Sequence, residues 1–122
     1  MNFDRKKIGQ EGESAVAQYL KNNGYTILEQ NYQKKIGEID IIAKSQGCYC
    51  FIEVKTRQSI DYGTGHEAVV KNKQKTIAKL AAYYLNEHSL ADVDVRFDVA
   101  SVLINDGAIQ IDLIENAFEA DF

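Results

Sequence analysis

Residues 37–57 read GEIDIIAKSQGCYCFIEVKTR, and the pairing of this stretch with itself decides the architecture. Two β-rich runs, Gly37 to Ala43 and Tyr49 to Thr56, flank Ser45-Gln46-Gly47. Ile, Val and Phe on both faces of a run mark a central strand covered from both sides. Gln46-Gly47 suits a two-residue hairpin loop. In that register Ser45 pairs with Cys48, Asp40 faces Glu53, and Glu38 faces Lys55. Directly opposed residues share a face, with Cβ atoms about 5 Å apart. Alternation puts Phe51, Glu53, Lys55 and Arg57 on one face of their strand, and Glu38 with Asp40 on one face of theirs. A slip of one residue would scatter these charges over both faces.

Outward from the hairpin, Ile8, Ala15, Val16, Tyr19 and Leu20 recur at helical spacing, predicting a helix over about 4–23 that stops at Asn23-Gly24. Tyr25 to Tyr32 contains a short strand candidate, Tyr-Thr-Ile-Leu. A second helix is expected over about 65–87, with Thr64 and Glu67 spaced as a capping box. Val70, Gln74, Ile77, Ala81 and Tyr84 form its apolar stripe, which Gln74 interrupts. Arg96 to Ile104 and Ala108 to Ile114 read as a last hairpin, closed by Asn105-Asp106-Gly107. The order αβββαββ predicts an α/β fold, a mixed β-sheet flanked by helices, as a single domain over 1–122.

The chain has 122 residues, 45% of them apolar, which argues against disordered and fibrous classes. No run approaches a membrane span, and no apolar signal segment follows the N-terminus, so no membrane partner is expected. Two cysteines make no disulfide framework, which favours a reducing, cytoplasmic setting. The net charge of −4 taken alone disfavours nucleic acid, but its distribution is lopsided. Residues 1–86 carry 13 Lys and Arg against 9 acids, whereas residues 87–122 carry Arg96 against 9 acids. A basic face in the first two-thirds is therefore expected around an acidic pocket, with the acidic third turned elsewhere.

Charges inside central strands need a partner, because burying one alone costs several kcal/mol or shifts its pKa. Asp40 opposite Glu53 would repel unless a cation or proton lay between them. Oxygen ligands without a histidine or cysteine cluster suit Mg²⁺ or Mn²⁺ better than zinc. Lys55 beside such a site can orient water and stabilise charge developing on a phosphate. An Asp followed by Glu-x-Lys also arises by chance, and a Glu38–Lys55 ion-pair cluster would account for the same residues. Glu13, at the edge of the first helix's apolar stripe, and Gln74, within the second's, are two further polar residues near buried faces. Gly9 and Gly12 would let a backbone come close, either the sheet or a phosphate. Cys48 and Cys50 are expected to face away from Glu53 as packing thiols, and neither His66 nor His88 has a partner for a zinc site.

Three segments carry a wider resemblance: Gly9-Gln-Glu-Gly12-Glu13-Ser-Ala15, Asn31-Tyr-Gln-Lys-Lys-Ile-Gly37-Glu38-Ile-Asp40-Ile-Ile-Ala43 and Phe51-Ile-Glu53-Val-Lys55-Thr-Arg57. Lys73-Gln74, Ala81-Ala-Tyr-Tyr84-Leu85, Arg96-Phe-Asp98-Val and Asn116-Ala-Phe118 continue it along nearly the whole chain. Together they resemble the YraN-like family of predicted endonucleases. That family is similar to the archaeal Holliday-junction resolvases in the restriction-endonuclease-like PD-(D/E)XK superfamily.

The resemblance implies a restriction-endonuclease-like fold and metal-dependent cleavage of DNA. By it, Asp40 and Glu53 bind Mg²⁺ or Mn²⁺, the peptide oxygen of Val54 adds a ligand, and Glu13 completes the site directly or through water. Lys55 becomes the water-activating or charge-stabilising base, and Gln74 a polar residue that the second helix directs at the site. The superfamily's proline is absent, since Ile39 precedes Asp40, and Gln33 stands where a basic residue is commoner. Lys34, Lys35, Arg57 and Lys73 are expected to contact DNA, read by structure rather than sequence. A resolvase-like activity would need two sites, hence a homodimer. A non-catalytic module binding nucleic acid or protein on the same fold is the alternative.

Overall fold

The computed structural model describes residues 5–58 and 71–120. Their order is α1 (Arg5–Asn22), β1 (Thr26–Lys34), β2 (Gly37–Ser45), β3 (Cys48–Gln58), α2 (Lys71–Glu87), β4 (Asp94–Asn105) and β5 (Ala108–Ile114). The expected succession of two helices and five strands is thus present. Thr64, Glu67, His66, Tyr62 and Val70 lie outside the described residues, and so does the expected start of the second helix.

One five-stranded sheet runs in the order β1-β2-β3-β4-β5. Three neighbouring pairs are antiparallel, while β3 and β4 are parallel, so the sheet is mixed. A parallel pair cannot be closed by a tight turn, and the connection between β3 and β4 accordingly carries α2. The hairpin forms as read: Ser45 pairs with Cys48 and the ladder runs to Ile41↔Ile52. Gln46 and Gly47, at φ 50° and 82°, both take the left-handed conformation that a type I′ turn demands. β1 is longer than its apolar core suggests. As an edge strand it turns Glu29, Gln30 and Gln33 to solvent while Tyr32 is buried.

The sheet separates two apolar layers. On one face α2 contributes Ile77, Leu80, Ala81 and Tyr84 against Ile42, Phe51, Phe97 and Val99. On the other, α1 contributes Val16, Ala17 and Leu20 against Ile41, Ala43, Cys50, Ile52 and Ala100. The alternation of Cys50 and Ile52 with Phe51 sends Glu53 to the α2 side, away from Cys50, as expected. The C-terminal segment closes the α2 side: the Ala117 N–H donates to the Phe97 carbonyl at 2.8 Å, and Phe118 stacks on Phe97. Among the described residues no helix is long and apolar enough to cross a membrane.

Gly12 explains how α1 lies so close. A Cβ there would overlap Thr56 Oγ1 and meet Thr56 Cβ and Cγ2 at 3.0 Å, so only glycine lets the helix backbone rest on β3. Of the two uses considered for this glycine, it is the sheet that approaches. Gly9 has open space where its Cβ would be. The contact sets the very next residue, Glu13, beside the strands that carry the charged cluster.

Candidate functional site

The alternation of β2 breaks at Asp40. Ile42 packs on the α2 side and Ile41 on the α1 side, as a regular strand requires, but Ile39 returns to the α2 side. The cause lies across the ladder in β1. Gln30↔Ile41 and Tyr32↔Ile39 bracket Asp40 and place Asn31 opposite it, and Asn31 has φ 54° inside a strand. A left-handed residue reverses the pleat, and asparagine is among the few side chains that tolerate it.

The break means that strict alternation does not carry from Asp40 to Glu38, since Ile39 and Ile41 lie on opposite faces. The expected Glu38–Lys55 pair lies beyond the β2–β3 ladder, and on its other edge β2 pairs Glu38 with Gln33. The β2–β3 ladder ends at Ile41↔Ile52, and the Asp40 carboxylate takes the Val54 N–H at 2.8 Å. A side chain thereby occupies the place of the next backbone contact.

Asp40 and Glu53 nevertheless come together. Burial pushes the Glu53 carboxyl up to about 9, helped by the adjoining Asp40 carboxylate and opposed by Lys73 and Lys55. Glu53 is only 3% exposed, and among the described residues its Oε1 has no hydrogen-bond partner. Lys73 of α2 stands with its Nζ 3.8 Å from that oxygen. An unpartnered buried carboxylate oxygen is expensive, which makes it the kind of group that awaits a ligand.

Glu13 approaches from α1. Its Oε1 accepts a 2.7 Å hydrogen bond from Asn31 Nδ2. Burial lifts its carboxyl above the ordinary range, Asn31 draws it down, and the charges of Asp40 and Glu38 lift it again. Among the described residues, no three Asp, Glu, His or Cys side chains gather closely enough to cage a metal. The carboxylate pair is the centre, and Glu13 stands at its margin.

The other expected residues spread around this pair. Lys55, half-buried, follows Glu53 on the same face and lies beside Ser101 of β4. Gln74 is half-buried and lines a groove of about 460 Å³ between α2 and the C-terminal segment, with Lys71, Lys75 and Glu119. Lys34 is engaged elsewhere: its Nζ meets Glu87 Oε2 at 2.8 Å, while the Tyr32 hydroxyl donates to Glu87 Oε1. Lys35 is exposed and Arg57 half-buried. Lys73, expected as a DNA contact, also stands 3.8 Å from Glu53 Oε1.

Residues of the acidic third are partly consumed internally. Asp98 is fully buried on Arg96, Glu115 meets Arg96 at 3.1 Å, and Glu87 holds Lys34. Asp112 pairs with Ser101 in the same sheet row as Lys55. Both cysteines are free thiols, and burial raises Cys50 to about 12, which keeps it protonated and inert. His88 stacks on Tyr84 with ring centroids 4.1 Å apart at the end of α2.

Comparison with known proteins follows the same outline. A family model described as "Uncharacterised protein family UPF0102" matches residues 12–102. A UPF0102 protein of Desulforapulum autotrophicum is 41% identical over 121 residues, covering 99% of this chain and 100% of that protein. One from Trichlorobacter lovleyi is 45% identical over 114 residues, covering 92% and 90% of the two chains. One from Clostridium botulinum is 43% identical over 122 residues, covering 98% and 99%.

Proposed function

Because the chain belongs to the uncharacterised protein family UPF0102, whose name assigns no activity, its function must be read from its site, and we propose that it is a metal-dependent DNA endonuclease of restriction-endonuclease-like fold. The observation that carries this reading is the buried Glu53 Oε1, without a hydrogen-bond partner among the described residues and set against the Asp40 carboxyl group. Two carboxylates held together in a desolvated place favour a hard divalent cation with oxygen ligands, and Mg²⁺ or Mn²⁺ fits that donor set. Asp40 and Glu53 would hold it, with the Val54 carbonyl as a further ligand and Glu13 completing the shell directly or through water. When bound, such an ion acidifies water and stabilises charge on a phosphoryl oxygen.

The protein's own residues do the rest. Val54 fixes the Asp40 carboxylate through its N–H, so the ligand geometry is set by the backbone of β3. Lys55 orients the attacking water and stabilises charge on the phosphate. Lys73, with its Nζ 3.8 Å from Glu53 Oε1, is placed to turn to a DNA phosphate once a cation takes that oxygen. Lys35 and Arg57 offer further phosphate contacts, with Lys34 able to join once released from Glu87. Structured or branched DNA is the proposed substrate, cut by a homodimer in the cytoplasm.

The test is cleavage of junction, flap, duplex and single-stranded DNAs in Mn²⁺. We expect cutting that EDTA abolishes, strongest on branched DNA. Binding without turnover in Mn²⁺ would mark a non-catalytic module on the same fold. Equal cutting by the wild type and Asp40→Asn would assign the activity to a contaminant and end the proposal.

A further inference from the structure

The left-handed asparagine in the middle of β1 does more than bend a strand. Asn31 lies opposite Asp40, at the point where β2 changes face, and its amide reaches across to α1 to hold Glu13 Oε1 at 2.7 Å. Glu13 and Asp40 sit on different elements, α1 and β2, and Gly12 brings α1 down on a third, β3. Asn31 is thus the residue that touches the helix acid while standing directly across from the strand acid.

A glycine at this position would satisfy the backbone and leave Glu13 loose. An aspartate would tolerate the backbone but set a second negative charge against Glu13. Asparagine meets both demands. Its amide donates to a carboxylate, which favours the ionised form that a cation needs. Its carbonyl end remains an acceptor.

We infer that Asn31 is a positioning residue for the cation site, acting through Glu13 by fixing the helix acid relative to Asp40. It rests on the nuclease reading for the identity of the ligand, but the coupling between Asn31 and Glu13 is its own claim. Partners that orient a ligand from outside the coordination sphere commonly carry 10–100-fold in metal affinity.

The experiment is calorimetric titration of Mn²⁺ into four full-length proteins: wild type, Asn31→Gly, Glu13→Gln and the double variant. Glycine keeps the left-handed backbone, so thermal melts of Asn31→Gly should show a folded protein. Asn31→Gly should weaken Mn²⁺ binding by about 10-fold when Glu13 is present, and should add nothing further in the Glu13→Gln background. A purely structural role would lower affinity equally in both backgrounds, and that result overturns the inference. Wild-type affinity retained in Asn31→Gly overturns it too, while leaving the cation site standing. No Mn²⁺ binding by the wild type would instead remove the nuclease reading, and this inference with it.

Discussion

Replacing Glu53 with glutamine is expected to reduce metal-dependent cleavage by about 10³-fold or more, while making the metal-free protein more stable at alkaline pH. The loss follows from removing a charged ligand from a site whose metal supplies several kcal/mol of barrier lowering, at about 1.36 kcal/mol per tenfold. The gain follows from linkage. Burial and the Asp40 carboxylate raise Glu53 from its ordinary value to about 9, so the folded protein binds this proton more tightly than the unfolded chain. Between the ordinary carboxylate range and about pH 9 the folded state therefore holds the extra proton, and stability falls as pH rises through that window. Glutamine, neutral throughout and nearly isosteric, removes that decline. Thermal melts from pH 5 to about 9 should slope downward for wild type and lose this component in Glu53→Gln. Parallel slopes for the two proteins would contradict the assignment. Opposite signs for activity and stability are what a functional site built from buried charge should give.

The second large effect lies on the other face of the sheet. Asp98→Ala is expected to destabilise the fold by about 3–5 kcal/mol, because it removes the buried partner of Arg96 and leaves the guanidinium only the exposed Glu115 and the Tyr25 hydroxyl. Asp98 is fully buried and accepts from Arg96 Nε at 2.9 and 3.1 Å, from its NH2 nitrogen at 2.9 Å, and from the Asn116 N–H at 3.0 Å. Arg96 also donates to the Tyr25 hydroxyl at 2.8 Å, so the pair ties β4 to the end of α1 and to the C-terminal segment. At the stated cost the melting temperature should drop by roughly 10 °C or more. A change within 2 °C or so would show that the pair is dispensable. Replacing both partners with apolar residues of similar volume should recover much of the loss, since the cost comes chiefly from the orphaned charge.

The hairpin's register was legible in the sequence because it needed only a turn and a period of two. Gln46-Gly47 fixed the loop, and alternation then placed Glu53 with Phe51 and sent Cys50 to the opposite face. The same reasoning failed at Asp40, where Glu38 was expected to follow it. A strand pattern assumes an unbroken pleat, and the residue that breaks it, Asn31, belongs to the neighbouring strand and is no glycine. Its only local sign is a polar run, Glu29-Gln30-Asn31, which reads equally well as an exposed edge.

The nearness of Lys73 to Glu53 escapes the sequence for a different reason. Which lysine of α2 meets Glu53 depends on how the helix crosses the sheet, and that is a tertiary fact. The pairing of Arg96 and Asp98 was missed, although the same alternation reaches it. They are two apart on a strand with Phe97 and Val99 between them, so their side chains had to share a face. The charge asymmetry of the chain was correct as arithmetic but incomplete as a map. Among the described acids of the acidic third only Asp98 is buried, while Glu115 and Glu87 meet Arg96 and Lys34 at the surface.

The central claim is that Asp40 and Glu53 form a divalent-cation site. Diffraction from crystals soaked in Mn²⁺, collected for anomalous signal, tests it most directly. The expected result is a peak about 2.1 Å from oxygens of both Asp40 and Glu53, with Lys73 displaced from Glu53 Oε1. A crystal that accepts no Mn²⁺ between these carboxylates, with Lys73 still on Glu53, would contradict it.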